Sequence, residues 1–387
     1  MTSQSSSQGV INFSRQPLLE PEERARAKRK FYRLVNRFQY IRHGVEKYNR
    51  PLLIRYTYEY TLSDESRDFF LQAFFQYLAL SMTDDGDLHL SDEELVEELG
   101  SAFSNFSDYL LDNFFLPLKA STKKTLQPSP VFLSASLDAQ GRDRLFLGTL
   151  DRVAALRGDC LLRDRHRCVV SRKFDSNEAV SRGRRDGDDA RDDDGDAFLE
   201  GLDNYAQLEV AHILPYSLTE TKRGSSGLSS SKRAALVILN MFDYGVLDLI
   251  NGHDIDRPRN AMSLTSSLHK LFGDFELYFT PVDAPGAQPH TYRIDSFLPQ
   301  FIIQDGFPVT RTLYSTDSCT IEPPSSRLLA IHSAIAHVLH LSKAGEYIDK
   351  LLRDFSRKSV RADGSTELDR FIKLRLGGWN FHTINQQ

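Results

Sequence analysis

The sequence predicts an α+β protein, with a small hairpin-and-helix core flanked by N-terminal and C-terminal helical regions. Three observations predict it. Apolar residues recur at helical spacing over residues 20–117 and again over 325–355. Between these regions lie two short stretches of strand character, "QLEVAHIL" and "AMSL". The second runs directly into an amphipathic segment, "SSLHKLF". The chain has 387 residues, 40% of them hydrophobic and 26% charged, which is ordinary for a globular protein of two or three domains.

Taken in order, residues 1–19 are polar and serine-rich and read as a disordered tail. "EPEERARAKRKFYRLVNRFQYI" carries acidic residues in its first turn, with Phe31, Leu34, Val35, Phe38 and Ile41 on one helical face. A second helix is expected over 63–82. A third opens at Ser91, where Ser91 and Glu94 form a capping box, and stops at Pro117. "TDDGDLHLSDEE" has the acids of a calcium loop, but its glycine does not fall where such a loop turns. Residues 20–120 therefore form an N-terminal helical region. Residues 121–141 read as a linker by their Lys, Ser, Thr and Pro content.

From about Arg142 another amphipathic helix is expected, followed by a strand in "RCVVSRKF", where Val169 and Val170 are β-branched. Residues 176–203 are polar and acidic and read as a disordered insertion. "QLEVAHIL" is the next strand. "TKRGSSGLSSSKR" is a loop and "AALVILNMF" a short buried helix. "RPRNAMSLTSSLHKLFGDFELYF" predicts turn, short strand, helix and strand, with Thr265 or Ser266 as N-cap. The core domain spans 142–282. Residues 283–387 are expected to be mainly helical, in one or two helices over 325–355, with Gly345 the weakest point.

Composition narrows the function classes. No apolar run reaches the roughly 20 residues of a transmembrane helix, and the N-terminus lacks a secretory pattern. Cys160, Cys168 and Cys319 are too few and scattered for a disulfide framework, so an intracellular, reducing compartment is expected, nucleus and cytoplasm both being open. The net charge of −5 conceals an uneven spread. From Glu22 to Tyr48 there are nine Lys or Arg against three Glu, whereas "DGDDARDDDGD" at 186–196 is almost wholly acidic. The basic run is a candidate phosphate-contacting face, and "RARAKRK" a candidate import patch.

The chemistry-bearing residues come in a fixed order. His212 sits in the apolar run "LEVAHILP", Asn260 follows Pro258, and His269 stands nine residues beyond Asn260 on the predicted helix. With "RCVVSRKF" before and "HKLFGDFELYF" after, this order resembles the HNH endonuclease family, over roughly residues 150–280. The longer pattern, including both flanking helical regions, looks like fungal proteins that carry such a domain.

The resemblance implies a ββα-metal core, one divalent ion (Mg²⁺, Mn²⁺ or Zn²⁺), and nucleic acid, DNA above RNA, as partner. It assigns His212 as general base, Asn260 as the group that orients it, and His269 as metal ligand. Histidine suits the base role because it can exchange a proton near neutral pH. Three departures stand out. Ala211 occupies the place where the family often has a metal ligand, and Glu209, Asp243, Asp248, Asp254 and Asp256 are candidate substitutes. Glu209 shares a strand face with Ala211. Ser171 replaces the second cysteine of a structural zinc pair, so no structural zinc is expected. Gly273 stands where an aspartate is common. The alternative is a degenerate module that binds nucleic acid or protein without cutting.

Overall fold

The computed structural model describes residues 17–39, 47–84, 93–122, 149–198, 201–220, 227–299, 301, 306–316, 320–356, 367–377 and 379. Along the chain run helices α1 (Pro21–Gln39), α2 (Arg50–Glu59), α3 (Asp64–Tyr77) and α4 (Glu93–Leu110). A π turn (Leu111–Phe115) continues α4 into α5 (Leu116–Thr122), and α6 (Thr149–Arg163) follows. Then come β1 (Phe174–Asp175), α7 (Ser176–Asp186), β2 (Tyr205–Ala206), β3 (Leu208–His212), α8 (Ser230–Phe242) and α9 (Leu247–Ile250). The remainder is β4 (Ala261–Thr265), α10 (Ser266–Gly273), β5 (Leu277–Pro281), β6 (Thr291–Ser296), β7 (Val309–Thr312), α11 (Ser326–Leu341), α12 (Ala344–Ser356) and α13 (Leu368–Leu376). Helices and small sheets together make the fold α+β.

The chain divides into two units, each assembled from separate segments: residues 1–117, 229–245 and 337–378 in the first, 118–228, 246–336 and 379–387 in the second. The first unit is helical. Its interior is a cluster of phenylalanines that meet edge to face, the geometry ring quadrupoles favour. Phe31 lies 5.8 Å from Phe70 and 5.1 Å from Phe74, and Phe74 lies 5.4 Å from Phe106. Helix α8 joins this unit, with Phe242 stacked 5.7 Å from Phe114. Among the described residues, three of its helices start at side-chain caps: Asn49 accepts from Leu52 N–H, with Pro51 at the first turn, Ser63 accepts from Ser66 N–H, and Ser229 accepts from Lys232 N–H.

Two members of the basic run on α1 are held by partners within the protein. Arg24 pairs with Asp68, and the Lys30 ammonium donates to the carbonyls of Ser81 and Asp84. Arg26, Lys28, Arg29, Arg33 and Arg37 stay exposed. The predicted Ser91 cap lies outside the described residues.

Among its described residues the second unit holds three small sheets. β3 and β4 pair antiparallel, with Leu208 opposite Thr265 and His212 opposite Ala261. β5, β6 and β7 form an antiparallel sheet, and β1 pairs parallel with β2. Alternation along β3 sends Val210 into a cluster with Leu156 and Cys160 of α6, while Glu209 faces α10. Burial pushes the Cys160 thiol up to about 12, which suits a small packed residue rather than a nucleophile.

Several expectations need correction. "RCVVSRKF" is a tight turn, in which Cys168 N–H donates to Lys173 O and Arg172 N–H to Cys168 O. The β-branched Val169 and Val170 mark burial there, and the only regular strand is β1, two residues long. Segment 176–203 was expected to be disordered, yet it contains helix α7 capped by Asp175. Its acids meet arginines and a histidine: Asp192 with Arg167, Asp193 with Arg182 and His166, Asp194 with Arg165. Burial alone would raise the Asp193 carboxyl, but His166 and Arg182 bring it down to about 2. Composition counts charge and is blind to such pairing. Ser121 and Thr122, expected to open a linker, end helix α5. Residues 123–148 and Cys319 lie outside the described residues. The region after residue 283 is mixed, because β6 and β7 precede its helices.

Candidate active site

Helix α10 starts where β4 ends, and Thr265 makes the switch by accepting from Leu268 N–H. His269 follows in the first turns of the helix. The register of β3 against β4 places His212 at the end of the pair, opposite Ala261. His212 and His269 line the same small cleft, together with Ser121, Thr122, Pro215, Tyr216 and Gly273. The two imidazoles are thus brought together from distant parts of the sequence.

Each imidazole has a carboxylate of its own. His269 Nδ1 lies 2.6 Å from Glu209 Oε2, and Glu209 Oε1 accepts from the Ser266 hydroxyl at 2.8 Å. The hydrogen bond with His269 holds the Glu209 carboxyl below the usual carboxylate range. His212 Nε2 lies 3.2 Å from Asp256 Oδ1, while Asp256 Oδ2 accepts from Arg152 Nε at 3.3 Å. Burial alone would raise the Asp256 carboxyl, but His212 and Arg152 hold it low. Both side chains of the His212–Asp256 pair are almost fully buried, and His212 Nδ1 has no hydrogen-bond partner among the described residues.

Asn260 does not hold the His212 ring. Its amide is spent on the backbone: Nδ2 donates to Leu214 O at 2.9 Å and Ile255 O at 2.8 Å, and Oδ1 accepts from Leu214 N–H at 3.0 Å. The main-chain carbonyl of Asn260 accepts from Ile213 N–H as well. Asn260 is fully buried and ties the chain just after His212 to the chain just before Asp256. Its link to the His212 segment runs through the backbone of Ile213 and Leu214.

Among the other acids the sequence offered, Asp254 pairs with Arg257 and Arg259, and Asp243 belongs to the first unit. Glu209 is a partner of His269 through its ring nitrogen. Gly273 also has a physical reason: a Cβ there would meet the Thr122 carbonyl oxygen at 3.1 Å, and the Thr122 hydroxyl donates to Gly273 O at 2.5 Å. Sequence reasoning missed Arg152, Tyr216, Ser121 and Thr122. Arg152 sits on a different helix with no motif around it, and the two hydroxyl residues resembled linker. Only Tyr216, four residues past His212, carried any positional signal.

Among the described residues, no group of three or more His, Cys, Asp or Glu is arranged to hold a metal ion. No described helix is long and apolar enough to cross a membrane. Residues 168–280 match the family model for HNH endonuclease. No curated protein and no solved structure matches the chain. A domain of this family implies nuclease-type action on nucleic acid, and such domains generally use a divalent metal ion. The matched segment carries His212, Asn260 and His269 in the expected order, and residues 168–280 form an HNH endonuclease family domain.

Proposed function

We propose that this protein is a metal-dependent endonuclease that hydrolyses phosphodiester bonds in DNA. The observation that carries this reading is the convergence of His212 and His269 on one cleft, each with one ring nitrogen engaged by its own carboxylate. The antiparallel β3–β4 pair followed directly by α10 supports a ββα-metal core.

Hydrolysis needs a water relieved of a proton and relief of charge on the phosphate and leaving oxygen. His212 takes the proton. It is held in place by Asp256 at one nitrogen and by the Asn260 backbone staple behind it. A divalent ion, when bound, supplies Lewis-acid stabilisation of the phosphate charge. His269 would hold it, its ring fixed by the contact of Nδ1 with Glu209. The donor set fits an ion that takes few protein ligands and completes its shell with phosphate oxygens and water, as Mg²⁺ and Mn²⁺ do, and imidazole also suits Zn²⁺.

A second reading has its own support. The shortage of clustered ligands among the described residues, with Ala211 at a common ligand position, favours a module that binds nucleic acid or protein without cleavage.

Plasmid nicking with Mg²⁺, Mn²⁺ and Zn²⁺ separates the two. Wild type should nick supercoiled DNA, His212→Ala should be slower by about 100-fold or more, and His269→Ala should lose its response to metal. Equal nicking by wild type and His212→Ala removes the proposed base. A folded wild-type protein that retards DNA in a gel but never nicks it is the binding module.

A further inference from the structure

We propose that Asp256, buttressed by Arg152, is the positioning residue that fixes the tautomer of His212, so that Nδ1 is the proton-accepting atom. The inference deepens the nuclease reading of the cleft and rests on it for its functional meaning.

The argument starts from what each group can donate. An ionised carboxylate only accepts hydrogen bonds. Asp256 faces both His212 and the Arg152 guanidinium, and these two hold it ionised against the cost of burial. Nε2 of a neutral His212 must then carry the proton, which it donates to Asp256 Oδ1 at 3.2 Å. A neutral imidazole has one N–H, so the lone pair belongs to Nδ1. Among the described residues Nδ1 is left without a hydrogen-bond partner. Arg152 occupies Asp256 Oδ2, which leaves Oδ1 to His212 and stops the carboxylate from swinging away.

The backbone explains why these two side chains meet. Asp256 ends the short 3₁₀ turn Gly252–Asp256. Asn260 grips Ile255 on one side and Leu214 on the other, so a single buried amide sets the separation of acid and base. Among the described residues, the other ring groups near His212 are Tyr216, 6.3 Å away, and His269, which lines the same cleft. The His269 ring has the opposite assignment, since Glu209 engages its Nδ1. Two carboxylates thus give the two imidazoles opposite tautomers.

The test is Asp256→Asn in the full-length chain. An asparagine amide can donate to Nε2 and so favour the other tautomer, in the way that replacing a triad aspartate misorients its histidine. Side-chain ¹⁵N–¹H spectra of the eleven histidines, with His212 assigned by its loss in His212→Gln, read the tautomer directly. Wild type should show a protonated Nε2 and a bare Nδ1. Asp256→Asn should move His212 towards a protonated Nδ1 and slow nicking by about 100-fold or more, with KM for DNA little changed. Asp256→Glu should keep the wild-type tautomer and recover most of the rate.

An Asp256→Asn protein with the wild-type tautomer overturns the proposal, whether or not its rate falls. If that variant does not fold, the spectrum of Asp256→Glu decides: loss of the protonated Nε2 despite a retained carboxylate overturns the proposal, and its retention supports it. If wild type never nicks, the nuclease reading fails, and the spectra still decide whether Asp256 sets the tautomer.

Discussion

His332 has a histidine ring whose chemistry is set by burial and not by a charged neighbour. It stacks on Phe272 at 3.8 Å and on Phe275 at 4.7 Å, and its Nε2–H donates to the Phe272 carbonyl at 3.0 Å. Burial pulls its pKa from 6.5 down to about 3. Between those values the unfolded chain binds the extra proton and the folded chain does not. Stability should therefore fall as pH drops from about 6.5 towards 3, by about 2 kcal/mol at pH 5 from this group alone. His332→Phe keeps a stacked ring without the titration, so its melting temperature should change less than that of wild type between pH 7 and pH 4. Parallel melting curves across that range would show that His332 is not the source. His337 is likewise a stacking residue, 5.0 Å from the Tyr60 ring. In the sequence His332, His337 and His340 all stand in one apolar run, "LLAIHSAIAHVLHL". Nothing local separates a stacked imidazole from a ligand, because the distinguishing neighbours come from other parts of the chain.

At the level of elements, the helix and strand assignments were the most legible. Helix α1, strand β3 and the β4–α10 unit follow from period and capping, which depend on residues a few positions apart. The attachment of α6 to β4 was not legible. Arg163, fully buried at the end of α6, makes a two-pronged pair with Asp164 at 2.8 and 2.9 Å. The same guanidinium donates to the carbonyls of Pro258, Glu322 and Ala261, and Asp164 accepts from Ser263 N–H. One arginine thus anchors the strand that leads to the His269 helix. Arg163→Met should cost about 3–5 kcal/mol, because it leaves the buried Asp164 charge and the carbonyls without their cation. Urea denaturation measures this, and a loss under about 1 kcal/mol would mean water replaces the guanidinium at little cost. The acidic segment 186–196 failed to be legible for the same reason. Its charge was visible, but its arginine partners Arg165 and Arg167 lie more than twenty residues away.

Each of the two units draws on three separate segments of chain. The family match covers 168–280 and omits parts that complete its folding. It lacks Arg163, which clamps Ala261, and His332, which stacks on Phe272. It also contains α8, whose Phe242 packs on Phe114 and Phe115 of the helical unit. A fragment limited to 168–280 should therefore fail to fold to a unique state. It should lack a near-ultraviolet circular dichroism signal and bind a hydrophobic dye, where the full chain does neither. A fragment with a native-like near-ultraviolet spectrum and a cooperative melt would show that those outside contacts are dispensable.

By itself the sequence determined what short-range physics decides: the places of α1, β3, β4 and α10, the absence of a long apolar span, and the order His212, Asn260, His269. The tertiary structure alone decided which carboxylate serves which imidazole, that Asn260 grips backbone rather than ring, and that Arg152 belongs to the site. Spacing along the chain could not choose among Glu209, Asp254 and Asp256, since hydrogen bonding and burial depend on distances in space. Those distances are set only once β3, β4 and α6 have packed.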